Sequence, residues 1–369
     1  MDEQFSYKFF NTTRTAWDAM YAAISRAQKS IYWEVYIFVD DASGARFVDL
    51  LCEKARAGLD VKIVVDALGS KGLSNSGIKR LKSSGAKVLA FHRLAPDFNL
   101  RGWWNDVWRR THRKVLIIDS AEAFIGGVNV EHGSAEWDDL LLELSGEKII
   151  RPLARGFAKS YLRSGGERKD VRELLHPKIT RGLEEWREKI NFILHSPVKV
   201  TRHSPLQNFY AKALGVAKES FNLLTPYYAP DRNFLELVSR ARKRGVKVNI
   251  IMPWRTDVKL MEYMARALYG VSEKAGAAFH FLRKMNHGKA VSVDSALGMV
   301  GSANLTPRSL FMNQEAGVVF SDAKMVDELN HILDDWKSQA DPLLEVGFKK
   351  RGWAKRFKDW WVKRLRDYV

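Results

Sequence analysis

Apolar residues recur along this chain with two periods that alternate in order. Residues 15–30 (TAWDAMYAAISRAQKS) carry apolar positions at helical spacing, and IYWEVYIFV at 31–39 follows as a buried strand. A second helix at 45–58 (ARFVDLLCEKARAG) leads into a second strand at 61–68 (VKIVVDAL). The pattern returns later: helix 205–220, strand 221–228, helix 231–245 and strand 246–254. The junctions RAGLDVKIVV and KRGVKVNII share one device, a basic last turn, a glycine that ends the helix, then a β-branched strand. Each half adds a third strand (KVLAFHRL; AAFHFLR), a fourth within a repeated motif, and a last one (LLLELSG; EAGVVF). A helix closes each half, at 149–164 and 322–339. The prediction is an α/β protein of two similar halves, each a mixed β-sheet flanked by helices, related by a pseudo-two-fold axis with one active site at their interface. Its segments are 1–165 for the first half, 166–200 for a charged connector with Pro177 and Pro197, 201–345 for the second half and 346–369 for a tail.

The fourth strand carries the chemistry. His112, Lys114 and Asp119 recur as His287, Lys289 and Asp294, all shifted by 175 positions. The register persists through Gly126 and Gly301 to Asn129 and Asn304. On a strand, residues two apart share a face, so each His–Lys pair points to one side. The glycine turn then returns the asparagine to the same mouth. Two such sets facing one another surround a phosphate with two imidazoles, two ammoniums and two amides. One neutral imidazole can attack phosphorus while the other, protonated, delivers a proton to the leaving alkoxide. The lysines supply the charge stabilisation that a metal would otherwise give, so no cofactor is expected. Each histidine needs a carboxylate to fix its tautomer. Glu315 is the candidate for His287, and Asp138 or Asp139 for His112. With the longer carboxylate behind His287 favouring its protonated form, His112 is expected to attack and His287 to act as acid. The remaining histidines, including His195, read as structural.

Composition narrows the substrate. Lys and Arg total 60 against 43 Asp and Glu, a net charge of +17 that favours anionic partners, whether lipid, nucleic acid or phosphorylated small molecules. An apolar content of 46% excludes a wholly disordered chain. The single cysteine, Cys52, precludes an intramolecular disulfide and reads as a buried helix residue. No run approaches the about 18 apolar residues of a spanning helix, so any membrane work is expected from the surface, at its cytoplasmic face. Trp103, Trp104 and Trp108 stand among arginines just before the first motif. In the tail, Trp353, Phe357, Trp360 and Trp361 gather on one helical side, within a stretch holding nine basic residues and two aspartates. Both segments read as membrane-binding.

These motifs resemble the phospholipase D superfamily in its two-motif, single-chain form. The segments WEVYIFVDDASG, LTPYYAPD and GSANLTPRSL make the bacterial cardiolipin synthases the most similar members, over about residues 10–340. The resemblance implies a phosphohistidine intermediate, no metal, and transfer of a phosphatidyl group from phosphatidylglycerol to an alcohol. It also implies that Asp119 and Asp294, counted with the catalytic set, support rather than react. Many such synthases begin with spanning helices; this sequence has none. Hydrolysis by a phospholipase D or a nuclease is the rival chemistry, and a non-catalytic membrane- or nucleic-acid-binding module the rival of another kind. No protein partner is expected.

Overall fold

A computed structural model describes residues 5–92, 109–176, 188–197 and 204–344. The first half holds β1 (Ser6–Thr12), α1 (Thr13–Arg26), β2 (Ser30–Val35), α2 (Ala45–Arg56), β3 (Asp60–Asp66), α3 (Asn75–Ser83), β4 (Lys87–Phe91), β5 (Val115–Ile118), β6 (Glu122–Gly126), β7 (Asp138–Ser145) and α4 (Glu147–Arg163). A short turn of helix, α5 (Arg172–Leu175), leads on to β8 (Ile190–His195). The second half continues with α6 (Pro205–Val216), β9 (Ser220–Leu224), α7 (Arg232–Lys243), β10 (Lys247–Pro253), α8 (Lys259–Ala275) and β11 (Ala277–Leu282). It ends with β12 (Ala290–Val293), β13 (Leu297–Gly301), α9 (Pro307–Phe311), β14 (Glu315–Phe320) and α10 (Ala323–Ser338).

The two sheets have the same order. The first runs β1-β7-β6-β5-β2-β3-β4 and the second, read from its other edge, β8-β14-β13-β12-β9-β10-β11. In each, three strands are parallel and the rest antiparallel, the mixed sheet expected from the sequence. β8 is therefore the counterpart of β1. It pairs antiparallel with β14, placing His195 opposite Glu315, so residues assigned to the connector form an edge strand of the second sheet. A six-residue strand with four apolar residues, beside a charged, proline-bearing stretch, offered no period long enough to detect.

Local signals explain the framework. Thr12, Ser204, Asp231 and Asp322 cap α1, α6, α7 and α10 by accepting first-turn backbone N–H bonds. Gly58 and Gly245, the predicted helix stops, take φ of +89° and +92°. Strand residues alternate between two cores: Leu116 and Ile118 pack with the outer helices α1 and α2, whereas Val115 and Ile117 face inward. The inward cluster gathers Phe157 of α4, Trp336 of α10, and residues of both sheets such as Leu142 and Val318. The inner helices thus fill a core shared by both halves. Cys52 is buried in the first outer core, as expected.

Candidate active site

The paired histidines and lysines are buried where the halves meet. His112 and Lys114 do not lie on a strand, as their spacing had suggested. β5 begins at Val115 and β12 at Ala290, one residue after each lysine. The preceding residues are held by the opposite half instead. His112 N–H donates to the Gln314 carbonyl at 2.9 Å, and Gln314 N–H donates back to Arg110. The mirror contact joins His287 N–H to the Asp138 carbonyl at 2.7 Å, with Asp138 N–H on Met285. Each histidine is thereby fixed beside a carboxylate-bearing strand of the other half.

The consequence reverses the expected pairing. His112 Nδ1 lies 3.1 Å from Glu315 Oε2, and His287 Nδ1 lies 2.9 Å from Asp139 Oδ2. Glu315 therefore serves His112 and Asp139 serves His287, the opposite of the assignment within halves. Asp138 turns away to Lys284 at 2.6 Å. A carboxylate on Nδ1 holds the ring proton there and leaves Nε2 for chemistry. The two carboxylates are held differently. Glu315 also accepts from the hydroxyls of Ser302 and of Ser309, the latter at 2.7 Å. Asp139 receives the Leu140 N–H at 2.7 Å. Burial alone would raise Glu315, but His112, Lys114 and Ser302 hold its pKa down to about 2. Burial lowers the His112 pKa to about 4 despite Glu315, and burial together with Lys289 lowers that of His287.

Lys114 and Lys289 are 3% and 1% exposed, and neither makes a carboxylate ion pair among the described residues. Lys114 Nζ donates to the His112 carbonyl at 2.8 Å and stands 4.9 Å from the centre of the Tyr36 ring. Lys289 Nζ lies 2.8 Å from His287 Nε2. Burial, and the repulsion of Lys289, press the Lys114 pKa well below its usual range; burial brings Lys289 to about 8. Two desolvated ammoniums without carboxylate contact make a site that an anion stabilises. Asn129 Oδ1 accepts from Ile37 N–H at 3.2 Å, while Asn304 Oδ1, also buried, has no partner among the described residues. Both asparagines follow the glycine turns, as expected. Tyr36 packs on His112 and Tyr227 and Trp137 on His287, an aromatic wall that sequence spacing did not reveal.

Asp119 and Asp294 stand apart from this chemistry. They lie at the far ends of β5 and β12 with φ of +53° and +50°. Asp119 accepts the backbone N–H groups of Gln28, Lys29 and Ser30, and Asp294 those of Lys218, Glu219 and Ser220, all within 2.9 Å. Each pins a hairpin turn to the start of β2 or β9.

Sequence reasoning missed Ser302 and Arg113. Ser302 occupies the register position of Gly127, where an added Cβ would sit 2.1 Å from Asp139 Oδ1. That GG-versus-GS difference was the available signal. Trp103, Trp104, Trp108, Trp353, Phe357, Trp360 and Trp361 lie outside the described residues.

Comparison with known proteins gives consistent matches. The family described as "Cardiolipin synthase, PLD-like domain" matches residues 20–161 and 210–336. Probable cardiolipin synthase YwiE of Bacillus subtilis (strain 168) is 28% identical over 92% of this chain and 67% of its own length. Minor cardiolipin synthase ClsB of the same organism is 27% identical, over 91% of this chain and 82% of its own. Cardiolipin synthase B of Escherichia coli (strain K12) is 28% identical, over 91% and 81%. Among solved structures, phosphatidylserine synthase of Haemophilus influenzae Rd KW20 superposes with a TM-score of 0.70 at 14% identity, covering 98% of this chain and 95% of its own, a likeness of fold alone.

Proposed function

The chain belongs to the cardiolipin synthase, PLD-like domain family, and from that premise we propose that it transfers a phosphatidyl group through a phosphohistidine. Donor and acceptor are two molecules of phosphatidylglycerol; the products are cardiolipin and glycerol. The observation that carries this reading is a buried site with two histidine–carboxylate pairs and two lysines that make no carboxylate ion pair among the described residues. An anionic phosphodiester offsets the cost of those ammoniums. The named activity of the curated relatives supports the lipid substrate.

His112 is the proposed nucleophile, now on different grounds. Its Nδ1 proton goes to Glu315, which leaves Nε2 as the lone-pair nitrogen of the neutral ring. Glu315 shares its charge with two serine hydroxyls, which weakens its pull on an imidazolium at His112. Asp139 has fewer competing donors and is the better support for a protonated His287. In the first step Nε2 of His112 forms a bond to phosphorus and the bond to the glycerol oxygen breaks. His287 gives its proton to that oxygen. A hydroxyl of the second phosphatidylglycerol then yields its proton to His287, attacks phosphorus and releases His112. Lys114, Lys289 and the Asn129 and Asn304 amides stabilise the non-bridging oxygens.

We place the protein peripherally at the cytoplasmic face of the cell membrane, with the Trp103–Trp108 region and the tail against anionic lipid. Among the described residues no helix is long and apolar enough to cross a membrane. The test is incubation of the purified protein with phosphatidylglycerol vesicles and mass spectrometry of the products. Cardiolipin with stoichiometric glycerol is expected. Phosphatidic acid in its place would assign hydrolysis, and an untouched lipid would remove the lipid reading.

A further inference from the structure

The two histidine mounts differ beneath the site. Arg113, between His112 and Lys114, is 1% exposed and sends its guanidinium away from them. Nε donates to the Glu315 carbonyl at 3.1 Å, NH1 to Ser160 Oγ at 3.1 Å, and NH2 to the His195 carbonyl at 3.0 Å and to Ser196 Oγ. NH1 also stands 3.7 Å from Glu34 Oε2. One side chain thus joins β2, α4, β8 and β14, and it grips the backbone of the residue that holds His112. Ser160 extends the contact by donating to Gln314 Oε1 at 3.0 Å, and the backbone carbonyl of Gln314 anchors His112 N–H. At the matching position of the second half stands Gly288. A Cβ there would meet Leu224 Cδ2 at 2.7 Å, so any side chain would have to displace that leucine.

We propose that Arg113 is a positioning residue for the reaction, fixing Glu315 from behind and so aiming Nε2 of His112. Glu315 has its side chain on His112 and two serines and its carbonyl on Arg113. Loss of the guanidinium frees the β14–β8 edge at that residue and leaves Glu34 without its arginine contact. A displacement of about 1 Å at a reacting atom can cost about 10²-fold in rate, without altering substrate contacts. The kinetic part of this inference rests on the proposed phosphohistidine chemistry; the spectroscopic part does not.

The experiment compares Arg113→Gln and Arg113→Lys with the parent, full-length, on a soluble short-chain phosphodiester. Rapid-quench phosphoenzyme formation, kcat and KM are read together with the downfield proton NMR signal of His112 Nδ1–H, assigned by its loss in His112→Ala. Both variants should lose roughly 10²-fold in kcat, in line with a 1 Å misplacement. KM should be unchanged and the NMR signal broadened or lost. Lysine keeps a charge near Glu34 but cannot reach both carbonyls, so it should rescue little. A kcat equal to the parent's, or a sharp unshifted NMR signal, overturns the proposal. So does a loss that only tracks the unfolded fraction, measured by thermal melting. If both variants fail to fold, Ser160→Ala decides: it cuts one strut while keeping the guanidinium. It should slow phosphoenzyme formation and broaden the same signal, and an unchanged rate and signal overturns the idea. No turnover by the parent, with its NMR signal sharp and the variants' signals lost, would condemn the proposed reaction and leave the positioning role standing.

Discussion

Asp139→Asn separates the two histidines by the step proposed for each. Asp139 is 2% exposed and its Oδ2 lies 2.9 Å from His287 Nδ1. At an effective dielectric constant of about 20, a carboxylate and an imidazolium at that distance attract by on the order of 6 kcal/mol. Relaxation and the remaining lysines reduce this, and half of it already corresponds to about 10²-fold. Asparagine keeps the volume but not the charge. Its other oxygen site faces the Leu140 N–H at 2.7 Å, so the amide oxygen is drawn there and the NH₂ turns to His287. The imidazole proton then moves to Nε2, and the ring becomes a neutral, poor acid. A fall of about 10²- to 10⁴-fold in kcat is expected for an alkyl phosphodiester, the range of a lost general acid. A nitrophenyl phosphodiester needs no proton on its leaving group, so its single-turnover burst should survive. Glu315→Gln should depress both substrates, because it disturbs His112, the proposed nucleophile. The assay is burst amplitude and rate for the two leaving groups in each variant. Equal losses on both substrates in Asp139→Asn, or leaving-group dependence in Glu315→Gln instead, would refute the assignment.

Further outcomes follow from individual contacts. Gly127→Ala should lose at least about tenfold in kcat with near-parent secondary structure by circular dichroism, because its Cβ would sit 2.1 Å from Asp139 Oδ1 and 2.8 Å from the His287 carbonyl. Asp119→Asn and Asp294→Asn should each lower stability by roughly 2 kcal/mol in urea unfolding while sparing kcat, since hydrogen bonds to a charged group are lost away from the histidines. Burial would raise both carboxyls, but three backbone N–H bonds and a neighbouring lysine outweigh it, so their folded pKa values are depressed. Their stabilisation is therefore full above the unfolded value of about 3.9 and fades as pH falls through the folded pKa, a pH dependence each variant should lack. Chelation with EDTA should leave turnover of a soluble diester unchanged, the phosphate charge being met by Lys114 and Lys289; loss restored by a divalent ion would defeat that view.

The repeat made the architecture legible, and local chemistry made most elements so. One helix-to-strand junction in each half was plainest, because its glycine-stopped helix precedes a continuous apolar strand. The elements that escaped had weak signals. β1 and β8 are single edge strands, and β6 and β13 follow the motif strands so closely that each pair reads as one apolar run into glycine. Helix α8 lies between two strands that already accounted for the local pattern. The motif residues themselves were identified by register, yet their backbone was misjudged. His112 and His287 precede their strands because the opposite half takes their N–H groups.

The exchange of carboxylates turns on one of those missed strands. Within each sheet the motif strand and the carboxylate strand are not neighbours: the order β7-β6-β5 puts β6 between Asp139 and His112, and β14-β13-β12 does the same for Glu315 and His287. Strands two apart are about 10 Å distant, beyond a direct hydrogen bond. Pairing within a half was therefore forbidden by the hairpin that the glycine turn builds. The isolated bridges Thr111 to Gln314 and Asp138 to Asn286 supply the alternative, bringing each carboxylate strand to the other half's histidine. The same fact explains why the duplicated sequence has a single site. A lone half would hold a histidine with no carboxylate on Nδ1 and a buried lysine with no second half to enclose its anion. Divergence between the copies then becomes tolerable, because the serines and Arg113 that surround Glu315 act on His112 alone. Gly127 and Leu140 shape the support of His287. One repeated frame thus gives two histidines whose carboxylate residues are held differently, Glu315 by two serine hydroxyls and the Arg113 guanidinium and Asp139 by the Leu140 N–H.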